Sequence, residues 1–319
     1  MSQTKLAVTG ATGELGGRVA TRLARLGIAQ RLVVRDPKRA PQLPGAEVAQ
    51  ASSYGDAAGM GGALTGVETL FLVSAHDRMN FAQRSTTGII GPYDREKQQT
   101  TAVDAAVAVG VQRIVYLSFL NAAADSTFIL ARDHFHTEEH IRALKVPFTF
   151  LRMSLYTDRL PEIVSADGVI RAPAGLGRGA WVTRDDLADV AVAVLTQSGH
   201  EGRTYDVTGP EALTYAEVAE QLSLVTGRKI SYQTVTPHEA RATRMISGLD
   251  KYEADRLALT GKGVSDYEVE VWVSHFMQIA TGELSVVSDT VPRLTGHKAQ
   301  TLSDYLYNHP ESYRYLLPT

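Results

Sequence analysis

"VTGATGELGGRV", from Val8 to Val19, carries four glycines in twelve residues, directly after an apolar segment. "KLAVTG" (residues 5–10) reads as a short buried strand. In the stretch that follows, Leu15, Val19, Leu23 and Leu26 fall at helical spacing, and Gly27 suits the stop of that helix. Between a strand and a helix, spaced glycines have separate tasks. Gly10 permits the tight turn, Gly13 lets a diphosphate touch the backbone, and Gly16 lets the helix pack closely on the strand. The amides that open the helix, with the helix dipole, then hold the phosphate charge. Candidate ligands in this turn are Thr9, Gly10, Thr12, Gly13, Glu14 and Leu15. An ordinary strand-to-helix turn is the alternative. The position of the turn, first in an alternating chain, favours the ligand.

That alternation continues outward. "RLVVR" (31–35) is a second strand closed by Asp36-Pro37, "AEVAQAS" a weaker third, and "TLFLVSA" (69–75) a fourth, apolar throughout as a strand covered on both faces should be. A helix over 97–108, a strand over 113–119, a helix over 133–144 and a strand over 147–153 follow. The pattern predicts an α/β fold: a Rossmann-like, doubly wound parallel sheet. Its domain spans 1–155. Residues 156–319 form a smaller, mostly helical substrate-binding lobe, from which a helix over 185–196 and a strand over 203–209 are expected to return to the sheet. Thr214-Tyr-Ala-Glu217 reads as a capping box, as does Ser265-Asp-Tyr-Glu268 ahead of a helix with Val269, Val273, Phe276 and Ala280 on one face.

Composition narrows the function. The 319 residues include 44% hydrophobic side chains, enough for a sizeable core, and a net charge of −3 without long runs of one sign. This speaks against nucleic acid or an anionic membrane as the main partner. There is no cysteine, so disulfides, thiolate metal sites and cysteine nucleophiles are excluded. Residues 1–5 lack a signal-peptide pattern and no apolar run approaches about 18 residues, so a cytoplasmic location is expected.

The second strand selects the dinucleotide. A residue near its end, about 20 positions beyond the turn, contacts the adenosine ribose. Here that residue is Arg35, followed by Asp36, Lys38 and Arg39. Three cations against one carboxylate favour a 2′-phosphate, hence NADP(H) over NAD(H), with Arg35 and Lys38 as its ligands. A solvated charged turn is the alternative.

These motifs together resemble the atypical short-chain dehydrogenases of the NmrA-like group. "YGD" (54–56), "VDAAVAVGVQRIVYLSFL", "LARDHFHTEEHI", "PFTFLRMSLYTD", "RDDLADVAVAVL" and "LTGHKAQTLSDYL" resemble in particular the type 2 NAD(P)H:quinone oxidoreductases and triphenylmethane dye reductases. The resemblance implies hydride transfer from NADPH to a quinone-like small molecule, and soluble relatives are often homodimers. It also implies that Ser74, Ala75, Ser118 and Met153 lie along the nicotinamide half of the cofactor, with Phe119, Tyr156 and Trp181 as candidate walls for a flat acceptor. Each of these aromatics could equally be plain core. Two positions depart from the relatives: Met153 stands where they tend to have Asn, and Ser53 where they often have Asp.

Ordinary short-chain dehydrogenases use a Tyr-x-x-x-Lys pair on the helix after strand five. The matching positions here are Leu130 and His134, while Tyr93-Asp-Arg-Glu-Lys97 has the spacing but precedes strand five. Without that tyrosine, alcohol–ketone chemistry lacks its proton carrier. Quinone reduction has less need of one, because hydride addition gives an anion stable enough to be protonated by water; proximity and orientation then carry the catalysis. His134 is the candidate for positioning the ribose or carboxamide, with a structural histidine as the alternative. His136-Thr-Glu-Glu-His140 matches a zinc-hydrolase pattern, H-x-x-E-H. At about 100° per residue, however, His134, Glu138 and Ile141 share one helix face and the His136–His140 pair another, so no metal is expected. Two further readings stand beside the reductase: a non-catalytic NADP(H)-sensing regulator, which would also lack the Tyr–Lys pair, and a sugar-nucleotide epimerase or dehydratase, which would need Tyr93 and Lys97 in the site.

Overall fold

A computed structural model describes residues 5–74, 94–247 and 266–317. The chain alternates as β1 (Leu6–Thr9), α1 (Glu14–Arg25), β2 (Gln30–Val34), β3 (Ala46–Gln50), α2 (Ala57–Leu64), β4 (Thr69–Leu72), α3 (Asp94–Ala108), β5 (Arg113–Phe119), α4 (Ile129–Ala143) and β6 (Phe148–Met153). It continues through β7 (Val169–Ala172), α5 (Arg184–Thr196), β8 (Arg203–Val207), α6 (Tyr215–Thr226), β9 (Ser231–Thr234) and α7 (Pro237–Ser247), then α8 (Asp266–Ala280), α9 (Thr290–Thr295) and α10 (Leu302–Asn308).

Seven strands form one sheet in the order β3-β2-β1-β4-β5-β6-β8, and every pairing is parallel. All strands therefore end at the same edge, and the order reverses between β1 and β4. Such a switch point opens a crevice between diverging loops, the usual ligand position in open α/β sheets. The central strands are apolar because both faces are covered: α1 and α5 pack against one, α2, α3 and α4 against the other. The weakly patterned β3 is the sheet edge, with Glu47 and Gln50 exposed, which discourages pairing with another chain.

The second lobe has its own apolar core around Trp181, Tyr215, Leu222, Phe276 and Ile279. It is less purely helical than its sequence suggests, because β7 and β9 form a two-stranded parallel ribbon. Both strands have only four residues; β7 alternates over just Ile170 to Ala172 and β9 is largely exposed, so neither offers a period long enough to read. The capping box Thr214–Glu217 is formed and Gly227 ends α6 in the left-handed region (φ 65°). Ser265 lies outside the described residues. On α8, Ile279 rather than Ala280 completes the buried face with Val269, Val273 and Phe276. Among the described residues, no helix is long and apolar enough to cross a membrane.

Candidate functional site

The opening of α1 lies at the switch point. Gly10 takes the left-handed region (φ 66°), where a β-carbon is strained, and its carbonyl accepts from the Gly13 amide at 2.9 Å. A β-carbon on Gly16 would run into the Gly10 carbonyl (2.6 Å from its carbon) and lie 2.8 Å from Thr9 O, so its bareness lets α1 sit against the turn and the end of β1. Gly13 differs from both. Its backbone is extended (φ −100°, ψ 174°), which any residue can adopt, and a β-carbon there would touch only Gly10 O at 3.3 Å. No side chain caps the helix. By helix geometry, the amides of Glu14, Leu15 and Gly16 have no carbonyl within α1 to bond. The protein thus presents bare, positively polarised backbone towards an open side.

The neighbours of that turn divide by role. Leu15 is buried in the core, so only its backbone reaches outward, whereas Thr12 is half-buried and Glu14 exposed. Arg18 donates to the Glu14 carboxylate at 2.7 Å, a bond that outweighs partial burial and holds its pKa below the ordinary range. Thr9 faces inward. Its Oγ1 accepts from the Val73 amide (2.9 Å) and lies 2.8 Å from the Tyr54 hydroxyl, which also reaches Val73 O at 2.7 Å. Thr9 and Tyr54 therefore tie the ends of β1 and β4 together below the crevice. Burial raises the Tyr54 pKa to about 12, against the opposing effects of the Thr9 bond and the nearby Arg35 guanidinium. The "YGD" stretch has a structural reason: Tyr54 forms this tie, and Asp56 caps α2 by accepting from Gly59 N at 2.8 Å.

At the end of β2, Asp36 turns back to accept from Lys38 N at 3.0 Å and caps a short turn. Lys38 and Arg39 are exposed and Arg35 is half-buried. The one carboxylate of this stretch binds the Lys38 amide but is exposed beside Lys38 and Arg39, so cations outnumber it at the surface.

The nicotinamide-side candidates are scattered by depth. Ser74 is half-buried just after β4, and Ala75 and Tyr93 lie outside the described residues. Lys97 is exposed on α3. Ser118 is fully buried and donates to Glu138 Oε1 at 2.6 Å. Glu138, also fully buried, accepts from Arg152 through Nε (2.8 Å) and Nη2 (2.6 Å), and from Arg142 at 3.0 Å. This network holds the ends of β5 and β6 together and occupies the Ser118 hydroxyl. The sequence carried a signal for it: an arginine in the apolar strand "FTFLRM" needs a buried partner.

His134 is 2% exposed. Its Nε2 lies 2.7 Å from Arg95 Nη2 and its Nδ1 lies 2.8 Å from the Tyr116 hydroxyl. A guanidinium only donates, so Nε2 is the acceptor and Nδ1 carries the proton towards Tyr116. Burial first, then the Arg95 and Arg152 charges, push the His134 pKa well below its ordinary value. The imidazole is neutral at pH 7, with both nitrogens engaged by the protein. Phe119 stacks on it (6.0 Å, 26°).

Phe119 and Trp181 are both buried in the second-lobe core. Met153 and Tyr156 remain half-buried at the end of β6, with the Tyr156 hydroxyl directed at the Met153 sulfur. The Arg184 guanidinium covers the Tyr156 ring at 4.1 Å and pairs with Asp158. On α4, His140 binds Asp104 at 2.6 Å and His136 is exposed; among the described residues no group of three or more potential ligands could hold a metal. A groove of about 560 Å³ between α2 and α3, lined mainly by small side chains, touches none of the candidate residues.

With this geometry in place, the chain can be compared with known proteins. The NmrA-like family matches residues 2–260. A (4-alkanoyl-5-oxo-2,5-dihydrofuran-3-yl)methyl phosphate reductase of Streptomyces griseus is 35% identical over 311 residues, covering 96% of this chain and 98% of the relative. Quinone oxidoreductase 2 of Escherichia coli is 33% identical over 313 residues, covering 95% and 99%. Its NADPH complex has a TM-score of 0.77 at 29% identity, covering 95% of this chain and 99% of that one. Citrobacter sp. triphenylmethane reductase complexed with NADP(H) has a TM-score of 0.76 at 30% identity and the same coverage. The chain belongs to the NmrA-like family. Within it, the chain falls among NAD(P)H-dependent reductases with a Rossmann-like fold.

Proposed function

We propose that the protein is an NADPH-dependent reductase that transfers hydride to quinones or similarly electron-poor conjugated acceptors. The observation that carries the reading is Gly13, an exposed residue whose own backbone does not require glycine and whose β-carbon would meet only Gly10 O, at 3.3 Å, at an uncapped helix start. The residues fit a dinucleotide: the amides of Thr12, Gly13, Glu14 and Leu15 receive the diphosphate, while Arg35 and Lys38 receive the 2′-phosphate. Ser74 and Met153 border the nicotinamide half. When bound, that ring supplies the hydride.

The chain's own contribution is placement. The Thr9–Tyr54 tie fixes the crevice, and the Ser118–Glu138–Arg152 network fixes the carboxyl edge of β5 and β6. Neutral His134 supports that edge from beneath through Phe119. No side chain needs to donate a proton, because a quinone that accepts hydride becomes a hydroquinone anion, which water protonates. Met153, half-buried and braced by the Tyr156 hydroxyl, is the group against which a flat acceptor can rest.

Loss of absorbance at the nicotinamide band, with NADPH and a panel of quinones, tests the reaction. Steady turnover supports it, and tight NADPH binding without turnover on any acceptor replaces it with the sensor reading. For the cofactor preference, Arg35→Ala is expected to weaken NADPH by about 1.5–3 kcal/mol, as for a charged hydrogen bond, and to leave NADH nearly unchanged. Equal losses for both dinucleotides would refute it.

A further inference from the structure

The loop from Leu120 to Phe128 joins β5 to α4, and the second lobe holds it. Glu283, in the turn after α8, accepts from Asn121 Nδ2 (2.8 Å), Ser126 Oγ (3.0 Å) and the Thr127 amide (3.1 Å). Asn121 has a left-handed backbone (φ 55°), which asparagine adopts more readily than most side-chain-bearing residues, and its amide group is the one fastened to Glu283. One residue into α4, the Ile129 amide donates to Ser274 Oγ of α8 at 3.3 Å. No side chain of α4's own cap residue does this, because that residue is Phe128. Phe128 meets Phe119 at 5.2 Å on one side and His275 of α8, edge to face, at 5.7 Å on the other. At the start of the loop, Leu120 N donates to Met153 O at 2.8 Å, so the loop also borders the end of β6.

Resting on the reductase reading above, we infer that Glu283 is a positioning residue for the acceptor: it anchors the β5–α4 loop to the second lobe and thereby fixes where the half-buried carboxyl edge at Met153 stands. It touches neither hydride donor nor acceptor. Loosening it should alter acceptor binding and leave the phosphate-binding turn, on the far side of the switch point, unaffected.

The test uses the full chain with NADPH and 1,4-naphthoquinone, comparing Glu283→Ala, Glu283→Gln, Asn121→Ala and the Glu283→Ala/Asn121→Ala pair. Expected results are a KM for the quinone raised at least fivefold by Glu283→Ala and less by Glu283→Gln, which keeps one accepting oxygen. The Kd for NADPH should stay within twofold, and the double variant should be no worse than Glu283→Ala alone. An unchanged quinone KM, or equal rises in quinone KM and NADPH Kd, overturns the inference. Amide hydrogen exchange of residues 120–131 is a second readout that needs no turnover. Faster exchange there in Glu283→Gln, with residues 9–20 unchanged, supports the inference, and unaltered exchange overturns it. Absence of quinone turnover in the unsubstituted protein would instead fail the reductase reading, leaving exchange to decide whether Glu283 holds the loop.

Discussion

Helices α1 and α4 both begin without a side-chain cap from their own cap residue, and the two openings are completed differently. At α1 the cap residue is Gly13, exposed, and a β-carbon on it would meet nothing but Gly10 O at 3.3 Å. At α4 the cap residue is Phe128, and Ser274 and Glu283 of the second lobe bind the Ile129 and Thr127 amides. Unpartnered first-turn amides are costly when buried and useful when a ligand can reach them. One opening is therefore closed by the protein itself, as part of the junction between its lobes, and the other is kept for something the protein must bind.

Substitutions can break that contrast, beginning with the largest expected effect. Gly13→Val keeps an allowed backbone but fills the open side. NADPH affinity should fall roughly 100-fold, about 2.7 kcal/mol, with thermal stability nearly unchanged. A matching drop in Tm would show that Gly13 serves packing instead. Gly16→Ala should lower stability as well as affinity, since its β-carbon would press on the Gly10 carbonyl and the end of β1; overpacking of this kind costs about 2 kcal/mol, read by denaturant unfolding.

Acid should loosen the α4 opening from within. Burial, and to a lesser degree the nearby Arg159 charge, lowers the His275 pKa to about 4. Below its ordinary value of 6.5 the unfolded chain takes up a proton that the folded chain refuses. Stability therefore falls as pH drops from 7 to 5, by about 2 kcal/mol from this residue, and His134 adds a loss of the same sign. Unfolding curves at pH 7 and pH 5 check it, and His275→Gln should shrink the difference; a variant as acid-sensitive as the parent would contradict it. The smallest effect belongs to Ser274→Ala, which removes the cap supplied from α8 and should cost about 0.5–1 kcal/mol without changing NADPH affinity.

The same contrast explains how much could be read in advance. The α1 opening was legible because its signal is local: an apolar run, spaced glycines and a helical period lie within twenty residues. For α4, the sequence suggests a helix from Asp133, whereas the helix begins at Ile129. Its capping groups are more than 140 residues away in the chain, so no local pattern announces them. Buried chemistry was partly legible. Arg152 in an apolar strand required a partner, and the shared face of His134 and Glu138 followed from helical geometry. The identity of the partners did not. That His134 has both nitrogens engaged depends on Arg95 and Tyr116, which come from a different helix and a strand.

From sequence alone follow the alternating fold, the bare turn and the cationic end of β2, because strand and helix periods, glycine conformations and charge balance are properties of short segments. Tertiary structure decided which groups remain available to a ligand. Ser118 is buried against Glu138, Phe119 and Trp181 are packed into the second core, and the Thr127 and Ile129 amides at the opening of α4 are bonded across the lobes. Availability depends on what packs against each group, and packing partners distant in the chain become neighbours only once the sheet has formed.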